Sequence, residues 1–246
     1  METARPPQFE RTAILLTQAE LTRLAHCHVI VAGLGGVGSY CAEALARAGI
    51  GNLTLIDHDV VSVSNVNRQL PALLSTVGQQ KLEVMAERIR DINPDCRLTL
   101  HRVFLIPENM GEFIRTDANY VIDCIDSLNC KVALVVYCTQ HAIPVVSSMG
   151  AGNKLNPSRI QLADISKTRG CPLAAVMRKR LKRHGIEQGV ATVFSDEPGR
   201  APRPPEPVEG RGRARAVNGT ISYMPALFGL MLAGEVIQKL LGLSPN

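Results

Sequence analysis

Four charged residues, Asp57, Arg68, Lys81 and Asp126, follow a glycine turn, GLGGVG from Gly33 to Gly38, and each lies beside an apolar run that reads as a strand or helix. Gly33, Gly35 and Gly38 have the spacing of a phosphate-binding turn that leaves a strand and opens a helix, and Gly36 adds a further permissive position. Asp57 stands nineteen residues after Gly38, where a carboxylate at the end of a second strand can accept hydrogen bonds from ribose hydroxyls. These features fit NAD and ATP equally.

The next residues separate the two. SNVNRQ places Arg68 among Asn65, Asn67 and Gln69, and GQQK places Lys81 at the start of the next helix. Two cations near one phosphate-binding turn suit a triphosphate, whose charge they would neutralise as pyrophosphate departs. A dehydrogenase needs neither. In DCIDS, Asp126 and Ser127 follow a fourth strand. A carboxylate there can hold Mg²⁺, which keeps waters and bridges substrate phosphates, or it can serve as an ordinary helix cap. Asp123, inside the strand, reads as structural.

The elements that must position these groups alternate. Short apolar runs at 28–33, 53–57, 97–101, 120–124 and 144–149 are separated by segments of helical spacing, which predicts a doubly wound, largely parallel α/β sheet of Rossmann type. Its ligand crevice should lie beyond the carboxyl ends of the strands. The whole chain, 1–246, reads as one domain, with a nucleotide-binding core over 1–150 and an α+β substrate-side extension over 151–246. That extension has two further strands, in RIQLADIS and GVATVFS, around the basic helix CPLAAVMRKRLKRHG. The stretch 197–216, with five prolines, three glycines and five arginines, is expected to be a mobile loop. The apolar run Met224–Ile237 is too short to span a bilayer and reads as a buried helix, so membrane association is not expected.

Composition narrows the setting. Residues of apolar type make up 46% of 246, enough for a large α/β core, and 27 Lys and Arg against 22 Asp and Glu give +5, a mild attraction for an anionic partner. Seven scattered cysteines without a CxxC pair argue for reduced thiols and against a four-cysteine zinc site. The mixed, polar start shows no secretory signal, which predicts a cytoplasmic protein. Six histidines share no metal-binding spacing.

GLGGVGS, DHDVVSVSNVNRQ, VGQQK, INP and DCIDS, in that order, resemble the ubiquitin-activating-type adenylating enzymes in their bacterial homodimeric form. Within that superfamily, ALARAGIGNLTLIDHD, SMGAGNKLNP, ADISKTRGCPLAAVMRKRLK and GTISYMPALFGLMLAGEVI are most similar to the tRNA threonylcarbamoyladenosine dehydratase group. The resemblance implies ATP and Mg²⁺ as cofactors and a tRNA substrate. It also implies a homodimer and admits a sulfur-transfer protein as partner. Gly35 and its neighbours would line the nucleotide, Asp57 would hold the ribose, Asn67, Arg68 and Lys81 the phosphates, and Asp126 the metal. Arg11, in FERT, matches an arginine that reaches across such dimers, although Gln8 stands where the family has a second one. Cys171 matches the region of the cysteine used by members that activate sulfur-carrier proteins. Two rival readings are an adenylyltransferase for the C-terminal glycine of such a carrier, and a nucleotide-binding scaffold without turnover.

Overall fold

The computed structural model describes residues 7–206 and 215–243. A short turn of helix, α1 (Thr12–Leu15), leads into α2 (Gln18–His26), whose start is fixed by a capping box: the Thr17 hydroxyl accepts from the Glu20 N–H while the Glu20 carboxylate accepts from the Thr17 N–H. The chain then alternates through β1 (His28–Ala32), α3 (Gly38–Arg47), β2 (Asn52–Ile56), α4 (Lys81–Ile92), β3 (Arg97–His101), the single turn α5 (Met110–Phe113), β4 (Tyr120–Asp123), α6 (Leu128–Gln140) and β5 (Val145–Ser148). These strands match the five apolar runs.

Beyond residue 150 come β6 (Ile160–Asp164), α7 (Pro172–Lys182) and β7 (Ala191–Ser195). Both strands join the main sheet, whose order is β3-β2-β1-β4-β5-β7-β6. All neighbours are parallel except β6, which runs antiparallel to β7 on the edge. The segment expected as a substrate-side extension therefore completes the sheet.

Side chains alternate across the strands, as the pleat requires. Val29, Val31, Leu53 and Leu55 face one core, shared with α2, α3, α4 and the last helix, α8 (Tyr223–Leu241). Ile30, Ala32, Val121 and Val145 face the other, shared with α5, α6 and α7. With both faces covered, the strands must read as nearly continuous apolar runs, which is why they were visible in the sequence.

Two elements differ from expectation. The helix α8 is 19 residues long, and is apolar enough to cross a membrane by length and composition. The apolar run expected over Met224–Ile237 continues as helix to Leu241, and Pro225 lies in its first turn, where proline is tolerated. Met224, Phe228, Leu232, Ala233 and Val236 are buried in the first core, so packing, not length, accounts for its composition. The ends of the 197–216 segment pair as a two-stranded antiparallel ribbon, β8 (Arg203–Glu206) and β9 (Arg215–Val217). Residues 207–214, the middle of the expected mobile loop, lie outside the described residues.

Candidate active site

From β1 the chain runs outward to β2 and β3, then returns to β4 on the other side of β1. That reversal opens a crevice between the ends of β1 and β4. A cleft of about 250 Å³ occupies it, lined by the glycine turn, the loop after β2, Arg68, Gln69, Lys81, the loop after β3 and the residues following β4.

The turn is shaped by its glycines. Gly33 has φ +91°, and a Cβ on Gly38 would lie 1.8 Å from the Gly33 carbonyl oxygen. Only glycine allows the first helical residue to pack so closely on the end of the strand. The start of α3 is thereby aimed at the cleft; the Ser39 N–H is taken by the Gly35 carbonyl at 3.1 Å, while the N–H groups of Gly35, Gly36 and Val37, which line the cleft, have no backbone partner among the described residues and favour an anion.

Asp57 is buried and braces this turn. Its Oδ2 accepts from the Leu34 N–H at 2.6 Å and its Oδ1 from the Asp59 N–H at 2.8 Å. Each carboxylate oxygen keeps a further lone pair for a hydroxyl donor. Lys81 is only 4% exposed, and its ammonium donates to Asp59 Oδ2 at 2.7 Å. The lysine is held by backbone as well, since its own N–H donates to the Asp59 carbonyl and Val60 bridges to Gln80. Arg68 donates to the Ser64 carbonyl at 2.8 Å and to Asn67 Oδ1 at 2.9 Å. Burial pulls its pKa down from the ordinary value, yet a guanidinium remains charged at neutral pH. Below the cleft, Asp123 is fully buried and ion-paired to Lys131 at 2.7 Å, with Ser147 donating to the same oxygen at 2.6 Å. Asp126, by contrast, is exposed at the cleft edge and has no ion-pair partner among the described residues. A free carboxylate beside two fixed cations and an anion-favouring helix end can take a phosphate-bound, oxygen-preferring cation.

The sequence matches the ThiF family over residues 9–246. The chain belongs to the ThiF family. It is 42% identical to the tRNA threonylcarbamoyladenosine dehydratase of Bacillus subtilis, over 95% of this chain and 94% of that protein. Against the Escherichia coli protein of the same name the identity is also 42%, over 95% of this chain and 93% of the relative. The crystal structure of E. coli TcdA in complex with ATP superposes with a TM-score of 0.85 at 41% identity, covering 96% of this chain and 94% of that one.

Within this ThiF-family site, the structure brings together Gly33, Gly35, Gly36, Asp57, Arg68, Lys81 and Asp126 as cleft lining. Gly38, Asn65, Asn67 and Ser127 stand behind or beside the lining. Gly38 serves the close packing described above. Asn65 Oδ1 accepts from the Ser62 N–H, and Asn67 donates to the Thr220 carbonyl at 2.9 Å. Ser127 occupies the N-cap position of α6 without a side-chain cap bond. Arg11 is exposed and outside the cleft of its own chain. Cys171, buried at the start of α7, packs with Ala174 and Met177 in the second core and is not part of the cleft lining. The thiol that does line the cleft is Cys124, and burial pushes its pKa far up, so it is a poor nucleophile.

Four cleft residues went unassigned in the sequence. Asp59 anchors Lys81, and His58 Nε2 lies 3.2 Å from Asp59 Oδ1. Phe104, 46% exposed, meets the His58 ring edge-on at 4.8 Å. Gln69 is 9% exposed, and its Oε1 has no partner among the described residues. The DHD and NRQ motifs contained three of these four. Phe104 had no sequence signal, because its place depends on how the loop after β3 folds back over the cleft.

Proposed function

We propose that this chain carries out ATP-dependent, cyclising dehydration of threonylcarbamoyladenosine in tRNA. The observation that carries the reading is the end-to-end match to the E. coli and B. subtilis dehydratases in a chain whose crevice presents Asp57, Arg68, Lys81 and Asp126 together.

The threonyl carboxylate attacks the α-phosphorus of ATP, the bond to the bridging oxygen breaks, and pyrophosphate leaves. The carbamoyl nitrogen then attacks the activated acyl carbon and loses its proton while AMP departs. The ring that forms lacks one water relative to the starting nucleoside. Because both partners in ring closure belong to one residue, the second step needs orientation more than an added nucleophile, in keeping with a cleft lining whose thiol, Cys124, has a pKa raised by burial.

In this reading Asp57 accepts the ribose hydroxyls. Arg68 and Lys81 stabilise charge on the departing pyrophosphate, and their internal tethers mean that little reorganisation is needed as it develops. Asp126, with its free carboxylate, would hold Mg²⁺, which supplies charge neutralisation on the phosphates. The protein works in the cytoplasm as a homodimer, and Arg11 enters the partner's cleft. The adjoining Ile14 and Leu15, 73% and 85% exposed, support a contact surface there. A tRNA-facing surface would draw on Lys179 of α7 and Arg183 just after it, both exposed and without an ion-pair partner among the described residues. Arg178 is turned inward to Thr168, Arg180 bonds Asn129, and Lys182 pairs with Glu187.

The test is direct. Incubation with ATP, Mg²⁺ and threonylcarbamoyl-modified tRNA should give a nucleoside lighter by one water, with AMP and pyrophosphate released, as read by mass spectrometry. An unchanged nucleoside, together with pyrophosphate release on adding a sulfur-carrier protein, would replace this reading with carrier adenylation.

A further inference from the structure

A second cavity, about 580 Å³, is lined by residues 153–155, by 200, 201 and 203, and by 218–221. Three separate segments form it, and Asn153 ties them together. Asn153 has φ +60°, and its N–H donates to the Gly219 carbonyl at 2.7 Å, while the Gly219 N–H returns to Asn153 Oδ1 at 2.7 Å. The Arg200 N–H donates to the Asn153 carbonyl at 2.8 Å, and the Asn153 amide donates to Asn218 Oδ1 at 2.8 Å. A left-handed asparagine used as a three-way tether fixes the floor of the cavity.

The charges around it are uneven. The acidic neighbours are already occupied: Glu197 accepts from the N–H groups of Leu155 and Asn156, and Asp196 pairs with Arg159 and Arg169. The Lys154 ammonium donates to the Ser195 carbonyl within the wall. Arg200 and Arg203 have no acidic partner among the described residues. The cavity is thus net cationic, and it has room for a nucleoside.

Its position matters as much as its charge. Asn67 accepts from Arg68 in the wall of the nucleotide cleft and donates to the Thr220 carbonyl in the wall of this cavity. Asn67 thus links a residue that lines one space to a residue that lines the other, and the two spaces are neighbours. Adenylation requires the acceptor's carboxylate to reach the α-phosphorus, so an acceptor site has to abut the nucleotide cleft.

We propose that this cavity is the acceptor site. It receives the modified nucleoside of a single-stranded RNA segment, with Arg200 and Arg203 on the flanking phosphates and the Asn153–Asn218 amides facing the nucleoside's polar groups. The inference rests on the dehydratase reading above and adds where the substrate sits. Unstacked loop nucleotides are the form of RNA that a pocket of this kind can take in.

The experiment compares wild type with the double variant Arg200→Ala, Arg203→Ala, using modified tRNA and measuring ATP affinity by calorimetry in parallel. The KM for tRNA should rise on the order of tenfold, and the dependence of RNA affinity on salt should weaken by about two counterions, one per lost phosphate contact. ATP affinity and kcat at saturating tRNA should stay within about twofold, since neither arginine touches the nucleotide cleft. An unchanged KM for tRNA, with wild type active, would overturn the acceptor site and leave the dehydratase reading standing. Loss of ATP and tRNA binding together would also count against a separate acceptor site. If the alanine variant is poorly folded, Arg200→Lys, Arg203→Lys replaces it, and should keep the salt dependence while the KM rises only a few-fold. A charge-keeping pair that abolished RNA binding would equally overturn the proposal. An inactive wild type would instead refute the reading on which the inference rests.

Discussion

The two ends of the parallel strands carry similar kinds of residue and use them in opposite ways. At the amino ends, polar groups are spent on closing the fold: the Asn119 carboxamide accepts from the His28 N–H at 2.7 Å, Asn52 donates to the Cys27 carbonyl, and the His28 ring bonds the Thr54 hydroxyl at 2.8 Å. Asn93 is buried and donates across to the Ala46 and Ile50 carbonyls. At the carboxyl ends, Asp57, Arg68, Lys81 and Asp126 converge on one cleft while keeping capacity for a ligand; a buried amide oxygen without a partner among the described residues occurs at both edges, in Gln69 here and in Asn93 there. Function here is marked by charged groups that converge on one cleft, more than by polarity itself or by a single unpartnered atom.

The sharpest test of that contrast lies beneath the cleft. Lys131→Met leaves Asp123 charged, buried and without its ammonium partner, which should cost about 3–5 kcal/mol of folding stability, read by urea denaturation. The added change Asp123→Asn should recover part of the loss by removing the orphaned charge. If Lys131→Met proved nearly neutral, the floor of the cleft would be wetter and looser than the geometry indicates, and the carboxyl edge would lose its claim to be pre-organised.

Asn93→Ala probes the other edge with a smaller effect. The Ala46 and Ile50 carbonyls each lose a donor, although Ala46 keeps the Gly49 N–H and the unpartnered Asn93 oxygen is removed as well, so the expected cost is at the low end of about 1–3 kcal/mol, while ATP affinity should be unchanged because Asn93 lies away from the cleft lining. A variant that folded well but bound ATP weakly would break the division between a structural and a functional edge.

Asn93 also shows how far the sequence could be read. INP served as one of the motifs behind the resemblance, and nothing in those three residues tells a ligand from a tether. Its partners stand 47 and 43 residues away. The same limit explains the other differences. Strands buried on both faces announce themselves as apolar runs, so β1 to β5 were legible, as were the glycine turn, Asp57 directly after β2 and Asp126 shortly after β4. The antiparallel edge at β6 and the ribbon of β8 and β9 depend on pairing between distant segments. The resemblance gives Asn67 a phosphate-contacting role, and only the fold shows that its amide also donates to the Thr220 carbonyl, 153 residues on. Asp59 was hidden for a related reason: only the folded loop reveals that it holds the buried ammonium of Lys81.

His28 gives the smallest effect and the finest discrimination, because the same side chain at the cleft edge would be free to meet a ligand. Burial pulls its pKa below the ordinary 6.5, partly opposed by the nearby Asp117 carboxylate and reinforced by Arg115. With the folded value depressed, the unfolded chain binds the proton more readily, so stability from the neutral ring is complete above about 6.5 and drains away as pH falls through the lower folded value. Replacing it by glutamine, His28→Gln, keeps a group that can bond the Thr54 hydroxyl and removes the titration. The variant should match wild type at pH 8 and lose less stability on going from pH 7 to pH 5, as followed by denaturant midpoints. Equal losses in both proteins would mean that the ring protonates in place without penalty, and that the amino edge is more open to water than its hydrogen bonds imply.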